Sequence, residues 1–483
     1  MSSFGALNLG ARAIFAAQRG LDITGQNIAN SATPGYSRQR VDQVAVGGPT
    51  VPAIWSKYDE TGGGVKVTGI SRMRDEFLEA RARTAHSALG QLGEQTKTYE
   101  AIERTMDEPS DTGLKKRLNE FWNAWADAGN DLKSDGPGRV VVERGVAVAD
   151  QINHMATQLE TQWADTQTEL AANVDAVNSA AADIAKLNKA IRNNTINGLP
   201  ANELADQRDL LVEKVTSLTG GVAERDEDGV VNVKMADGNY LVQGMRNRTI
   251  QVEDAATSYA EHLDNGAVKT TVTWGLDFDG VSPASPAGPI LGEVSDGNPK
   301  STMNGQLAAL NETLPKYLDL LDGIAVSIAE AVNDQQAEGF TKSGESGGDL
   351  YAYGTDTARA AVNLRFTGAA TDLAISSVDP ATGATNGDNA KAMMAHTYTR
   401  GGPDDLLRSA IVQLGVDAES VYRNQGVAEK VARTADDARD SVSGVSLNEE
   451  MTNLMKYQHS FAAAAKFITA VDATIESLLN MTR

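Results

Sequence analysis

Gly344-Glu345-Ser346-Gly347-Gly348 has the G-x-S-x-G spacing that holds a serine nucleophile on a sharp strand-to-helix turn. With a base such as His396 or His459 downstream, it would make a serine hydrolase that uses Ser346. That chemistry needs a buried strand before the serine and a helix after it. Here Thr341 to Gly348 is small and polar, "DLYAYG" is no clear helix, and His459 falls in an apolar helical seam. The histidines (His86, His154, His262, His396, His459) lack ligand spacing such as H-E-x-x-H. Asp226-Glu227-Asp228-Gly229 and Asp277-Phe278-Asp279-Gly280 lack the ligand series and distal Glu of a calcium loop, and read as hairpin turns. Asp206, Arg208 and Asp209 read as an ion-paired helix face rather than an acid–base pair. The residues thus call for no catalytic centre, no metal and no cofactor.

The elements around these residues suit a structural role better. The chain has 483 residues, too many for one ordinary core, so roughly two to four domains are expected. Its formal charge of −22 repels phosphate backbones and makes nucleic acid an unsuitable partner. It has no cysteine, which excludes disulfides and thiolate sites. No stretch approaches 18 uninterrupted apolar residues, so no membrane span is expected. Arg12 and Arg19 interrupt the apolar start, and no basic region precedes it. Export would therefore use a route without a cleaved Sec-type peptide.

Phe4, Leu7, Ala11, Ile14, Gln18, Leu21, Gly25 and Ile28 alternate in steps of three and four, a coiled-coil seam. Leu447, Met451, Leu454, Gln458, Phe461, Ala465, Ile468, Asp472, Ile475 and Leu479 do the same at the other end, behind a Ser446-to-Glu449 capping box. The two terminal helices are expected to pair. Gln18, Gly25, Gln458 and Asp472 thin both seams, so the helices should order fully only among neighbouring copies. Between them, helices are expected over Ser71–Met106, around Leu114, Leu118, Phe121, Trp122 and Trp125, over Val141–Asn193, and from Asn202 to Gly220-Gly221. "GVVNVKMADGNYLVQG" alternates, with Asp237-Gly238 as a hairpin turn. The fold class is mainly α with an inserted β-rich module: a terminal coiled-coil unit (1–36 plus 441–483), an elongated helical body (37–220 plus 300–440) and an outer β domain (221–299). Residues 341–390 read as irregular and are expected to pack with the β domain. The β module enters and leaves between helices, so removing 230–290 is expected to spare the body.

One stretch is more specific. In "NIANSATPGYSRQRV" the first helix stops near Asn30, Pro34 biases Thr33 away from helix, and Pro34-Gly35 suits a type II turn followed by Tyr36. Asn27, Ile28, Ala29, Asn30 and Thr33-Pro34-Gly35-Tyr36 closely resemble the N-terminal signature of the bacterial flagellar rod, hook and hook-associated axial proteins. "SGVSLNEEMTNLMKYQHSFAAAAKFITAVDATIESLLN" resembles their closing helix. "YSRQRV", "GGGVKVTGISRMRDEFL", "LNEFWNAWADAGND" and "ELADQRDLLVEKV" are similar to the branch that forms the first junction between hook and filament. The resemblance is strong over about 1–220, clear over 300–340 and 440–483, and weak in the β module. The middle of the chain is modest beside larger members, which leaves the outer-domain shape open.

The resemblance implies a structural protein, exported unfolded by the flagellar type III apparatus and located outside the cell at the hook–filament junction. Its termini would be disordered before assembly. It implies a ring of copies of itself, hook protein below, a second junction protein (hook-associated protein 3) above, and an export chaperone on the C-terminal helix. Assembly contacts would fall on Phe4, Leu7, Ile14, Leu21, Ile28, Leu447, Met451, Leu454, Phe461, Ile468, Ile475 and Leu479. The other readings are a hook or rod protein and, from a different class, the Ser346 hydrolase. A hook subunit would be β-rich over Ser71–Gly220, and rod proteins are much shorter.

Overall fold

The computed structural model describes residues 3–47, 63–226, 228–253, 256–283, 289–292, 300–355 and 359–481. Helix α1 (Ser3–Ala29) leads through a turn to an antiparallel hairpin, β1 (Gln39–Ala45) and β2 (Val65–Arg72). Then come α2 (Glu76–Met106), α3 (Leu114–Asn130), α4 (Gly136–Ile196) and α5 (Asn202–Thr219). The β module follows: β3 (Val222–Arg225), β4 (Val231–Lys234), β5 (Tyr240–Gln243), β6 (Arg246–Asn247), β7 (Ile250–Glu253), α6 (Tyr259–Asp264), β8 (Thr271–Trp274) and β9 (Pro289–Leu291). Helices α7 (Thr302–Ala308) and α8 (Leu314–Ala337), short strands β10 (Tyr351–Ala352) and β11 (Arg365–Phe366), and helices α9 (Asp388–Ala395), α10 (Pro403–Ser443) and α11 (Leu447–Met481) complete the chain.

The helix ends follow local chemistry. α2 begins at Glu76, not Ser71, because the Asp75 carboxylate accepts from the Phe77 and Leu78 amides. Ser71 and Arg72 instead pair with Arg40 and Gln39 in the hairpin. α5 stops where Gly220 adopts φ +73° and its amide donates back to Thr216. The Ala-rich stretch from Val141 makes one 61-residue helix, ~90 Å long at ~1.5 Å per residue. Between α7 and α8 a π turn (Ala309–Thr313) precedes Pro315. In a π turn Pro315, lacking an N–H, leaves the Leu310 carbonyl unclaimed. The buried Trp163 indole donates to that carbonyl at 3.1 Å.

The β module forms two antiparallel sheets, β3-β4-β5-β6 and β7-β8-β9. It does not have a core to itself. Val231, Val233, Leu241, Ile250, Val272 and Trp274 bury in one continuous cluster with Val177, Ala181 and Ile184 of α4. Two asparagines of α4 stitch the sheets down. Buried Asn188 donates to the carbonyls of Val231 and Gly244, both at 2.8 Å, and accepts from the Val231 amide at 3.1 Å. Asn178 exchanges two bonds with the Ile250 backbone. Deleting 230–290 would therefore strip the cover from the second half of α4, which reverses the expectation that the body is spared.

Residues 341–390 touch the β module where Arg359 stacks on the Tyr259 ring of α6 at 5.0 Å, but most of their packing lies elsewhere. They close over α3 and the first half of α4. The Tyr351 hydroxyl donates to the Gly145 carbonyl at 2.9 Å, Asn153 donates to the Leu364 carbonyl at 3.0 Å, and Phe366 lies edge-on to Phe121 and Tyr351. The β module meets α4 farther along the helix, from Trp163, on which Tyr259 and His262 stack, to Asn178 and Asn188. Aromatic residues line the first docking, and alternating valines together with Trp163, Tyr259 and Trp274 line the second.

Replacing Asn188 with Leu leaves buried Val231 and Gly244 backbone groups without partners, at about 1–3 kcal/mol each. The expected result is a lower melting temperature and faster hydrogen exchange over Val231–Val242. Unchanged exchange there would show that the apolar contacts alone hold the module.

Candidate assembly interface

The first helix ends as its sequence dictates. The Thr33 amide donates to the Asn30 carbonyl at 2.9 Å and the Tyr36 amide to Thr33 at 3.2 Å. Pro34 and Gly35 occupy the corners, with Gly35 at φ +76°. A Cβ on Gly35 would come within 2.4 Å of the Leu210 side chain, so the turn lies flush on α5. Asn30 closes the helix, its side-chain amide donating to the Gln26 carbonyl and its oxygen accepting from Thr33.

Asn27 is the hub of this turn. It is fully buried and makes four hydrogen bonds. Its oxygen accepts from the Tyr36 hydroxyl at 2.8 Å and the Gln39 amide at 3.0 Å. Its nitrogen donates to the Gln39 carbonyl at 2.9 Å and to Glu450 Oε2 at 3.0 Å. Glu450, buried at the start of α11, also accepts from Arg38 Nε at 2.9 Å and pairs with Arg38 Nη2 at 2.7 Å. Arg38 reaches Glu449 at 2.7 Å as well. One buried polar cluster thus joins the end of α1, the turn, β1 and the C-terminal helix. Burial, with the Asp206, Glu203 and Glu450 carboxylates nearby, pushes the Tyr36 hydroxyl up to about 12.

Beneath the turn, α5 presents its charge cluster. Asp206 accepts from the Ser37 amide at 3.3 Å and from Arg72 at 2.8 Å. Asp209 takes Arg72 at 2.9 Å, Arg208 at 3.1 Å, and also Arg74. Burial alone would raise the Asp209 carboxyl, but Arg74, Arg208, Arg72 and Arg225 hold it below its ordinary value. Arg208, fully buried, also donates to the Gly229 carbonyl at 2.6 Å. The ion-paired face read from the sequence is therefore a clamp between α5 and the hairpin, and no member of it is poised for proton transfer.

The terminal helices pair, on α11 partly through the expected seam, where Ile468 meets Gly10, but on α1 along a different stripe. On α1 the buried residues include Gly10, Ala17, Gly20, Thr24 and Asn27, a stripe one residue out of step with Leu7, Ile14, Leu21 and Ile28, which are half-buried. A Cβ on Gly10 would meet Ile468 at 2.5 Å, and one on Gly20 would meet Tyr457 at 2.4 Å. Small residues let the helix backbones approach; the larger stripe is left on the adjacent face. On α11, Leu454, Ile468 and Ile475 are half-buried, whereas Leu447, Met451, Phe461 and Leu479 are exposed. The side chain of Phe4 lies outside the described residues, as do Gly62 and Glu227 of the motifs quoted above. Both helices are formed in a single copy, against the expectation that they order only on assembly.

A family model for the flagellar hook-associated protein FlgK helical domain matches residues 99–351, and one for the C-terminal region of flagellar basal body rod FlgEFG proteins matches 439–481. Flagellar hook-associated protein 1 of Bacillus subtilis is 30% identical over 99% of this chain and 98% of its own length. The chain belongs to the FlgK family of flagellar hook-associated proteins. The Escherichia coli relative of the same name is 27% identical over 70% of this chain, and the match spans only 58% of that relative. A solved FlgK hook junction protein from Burkholderia pseudomallei has a TM-score of 0.47 at 22% identity, covering 58% of this chain and 47% of that one.

As a FlgK-family member, the chain is a structural component of the bacterial flagellum associated with the hook. Ser346 has another place in it. It sits on an exposed turn, bridged to Phe340, and its hydroxyl donates to the Ala337 carbonyl at 3.3 Å. The following segment runs into β10 rather than a helix, so no nucleophile elbow forms. Asp277–Gly280 is a turn closed by the Gly280 amide on the Asp277 carbonyl. Sequence reading missed Arg38, Glu450, Arg72 and the glycine stripe. The alternation in "RQRV" and "VKVTGISR" could have revealed the hairpin, but nothing local pairs Arg38 with Glu450.

Asp209→Asn should cost about 3–5 kcal/mol at neutral pH, because it leaves the fully buried Arg208 without a carboxylate, while Arg72 keeps Asp206 and Arg74 keeps Glu79. Since the folded carboxyl is depressed, its contribution is full above the unfolded value of about 3.9 and lost as pH falls through the folded one. The gap in denaturant midpoint between variant and parent should therefore begin to narrow near pH 4 and close only below the depressed folded value; a gap constant with pH would contradict the clamp. Asn27→Leu should speed exchange in both α1 and α11, since it strands Glu450 and Tyr36 together; loss confined to α1 would argue against the shared hub.

Proposed function

We propose that copies of this chain form a ring joining hook to filament, held together through the paired terminal helices. The observation that carries this reading is α11. Of its 35 residues only Glu450 and Ala464 are buried in a single copy. Leu447, Met451, Leu478 and Leu479 are 53, 51, 51 and 63% exposed. Apolar surface of this length in water is covered in the working state, and an already paired helix offers it to further copies. The seam residues Leu7, Ile14, Leu21 and Ile28 on α1 and Leu447, Met451, Leu454, Phe461, Ile468, Ile475 and Leu479 on α11 are the assembly contacts in this reading.

The unit boundaries follow from it: a terminal pair (1–36 with 441–483), a helical body (37–220 with 300–440) and a β-rich outer unit (221–299). The signature turn is where the chain passes from the inner pair to the body. Hook protein lies below and hook-associated protein 3 above. An export chaperone covers the apolar α11 before assembly. The protein acts outside the cell after export without a cleaved signal, and it is not an enzyme. Among the described residues no helix is long and apolar enough to cross a membrane. The run of long helices over residues 76–219 favours this reading over a β-rich hook subunit.

Met451→Asp and Leu479→Asp test the reading. Burying an unpartnered carboxylate in every copy of a ring is prohibitive, whereas in a single copy both side chains face water. The expected result is an unchanged monomer melting temperature, no incorporation at the hook tip, and filament subunits shed into the medium. Normal filaments on the variant cells would overturn it.

A further inference from the structure

Helix α10 packs on α2 and α8 through Leu407, Ala410, Leu414, Ala418, Ala432 and Ala435. Its outer face is unusual for a chain of net charge −22. Val412, Val416 and Val427 are 61, 62 and 57% exposed there. Glu419, Arg423 and Lys430 share that face, within an arc of about 40° at 3.6 residues per turn. The outer edge of α4 carries exposed Arg139, Glu143 and Asp150 within an equal arc, beside partly exposed Val140 and Val146. None of these six charged side chains makes a salt bridge within its own copy among the described residues.

The two strips match. Glu419, Arg423 and Lys430 are spaced by four and seven; Arg139, Glu143 and Asp150 are spaced by four and seven, with every charge reversed. In parallel register Glu419 faces Arg139, Arg423 faces Glu143, and Lys430 faces Asp150, and Val427 falls beside Val146. Within one copy α10 and α4 run the same way, because each lies antiparallel to α2. His86 meets Asp436 while Glu103 meets Tyr422; Thr98 meets Gln162 while Phe77 and Ile191 line one cleft. Copies pointing the same way can thus set α10 of one parallel to α4 of the next. We infer that the α10 strip docks on the α4 strip of a second copy of this chain, a lateral contact of the helical body distinct from the terminal helices. The two surfaces differ, so the contact is head-to-tail and propagates around a ring. The inference rests on the ring proposed above.

Charge reversal tests it in the full-length chain, expressed in flagellated cells that lack their own copy. Arg423→Glu with Lys430→Glu, and separately Glu143→Lys with Asp150→Lys, should each raise the filament subunit shed into the medium several-fold. Combining all four should return it towards the parent level. Each purified monomer should melt like the parent, since every altered residue is exposed. Because the chain has no cysteine, Val146→Cys with Val427→Cys should give disulfide-linked multimers from oxidised junctions only when both are present. Single reversals without effect, a combination no better than its parts, or junctions that do not cross-link would each reject this contact. If Met451→Asp still blocks assembly in that case, the ring stands and only the lateral contact falls; if Met451→Asp is also silent, the ring itself is wrong.

Discussion

The arrangement of this molecule depends on one buried side-chain amide. Asn27 has two acceptor sites and two donor protons, and all four are used. A buried amide left partly unsatisfied costs about 1–3 kcal/mol, so its partners must be held in place together. Tyr36 fixes how the chain leaves the turn, Gln39 fixes where β1 starts, and Glu450 fixes where α11 starts. Arg38 then neutralises Glu450, which would otherwise be a buried bare charge. The orientation of the terminal pair relative to the body follows from this geometry. The flush contact of Gly35 on Leu210 and the clamp of Asp206 and Asp209 on Arg72 hold the same corner from the other side.

What could be read in advance divides by the range of the interaction. The turn was legible because Pro34 and Gly35 act on their own backbone. The long helices were legible because few breakers interrupt them. The pairing of the termini was legible too, but its stripe on α1 was not. A pattern search weights large apolar residues, so it selects Leu7, Ile14 and Leu21. Two helices in close approach select what is absent, and Gly10, Ala17 and Gly20 give such a search little to weigh. The hub was half legible: Asn27 stands in the signature, yet Glu450 looks like an ordinary first-turn acid of a capped helix. The ion-paired reading of Asp206, Arg208 and Asp209 was right in kind, and only the fold shows that their partners come from β2.

The β module shows the opposite failure. Its strands and turns are plain in the alternation of Val231, Val233 and Leu241, so it looks separable. Asn178 and Asn188, polar residues in a polar-rich helix, carry no sign that they bind strand backbones. The outer faces of the strands are ordinary; the inner faces need α4. A module recognised by period alone is thus a module in sequence but a lobe of a shared core in space.

The hub also fixes an order of events. Asn27 and Glu450 are 423 residues apart. A chain that emerges N-terminus first can fold α1, the turn and the hairpin early, but the Asn27 amide cannot complete its bonds until almost the whole chain has arrived. Closing so long a loop is slow compared with local turn formation. Until then the site at the base of the terminal pair stays open and wet. Its closure therefore waits on Glu450, and a truncated or stalled chain lacks the carboxylate that seals it.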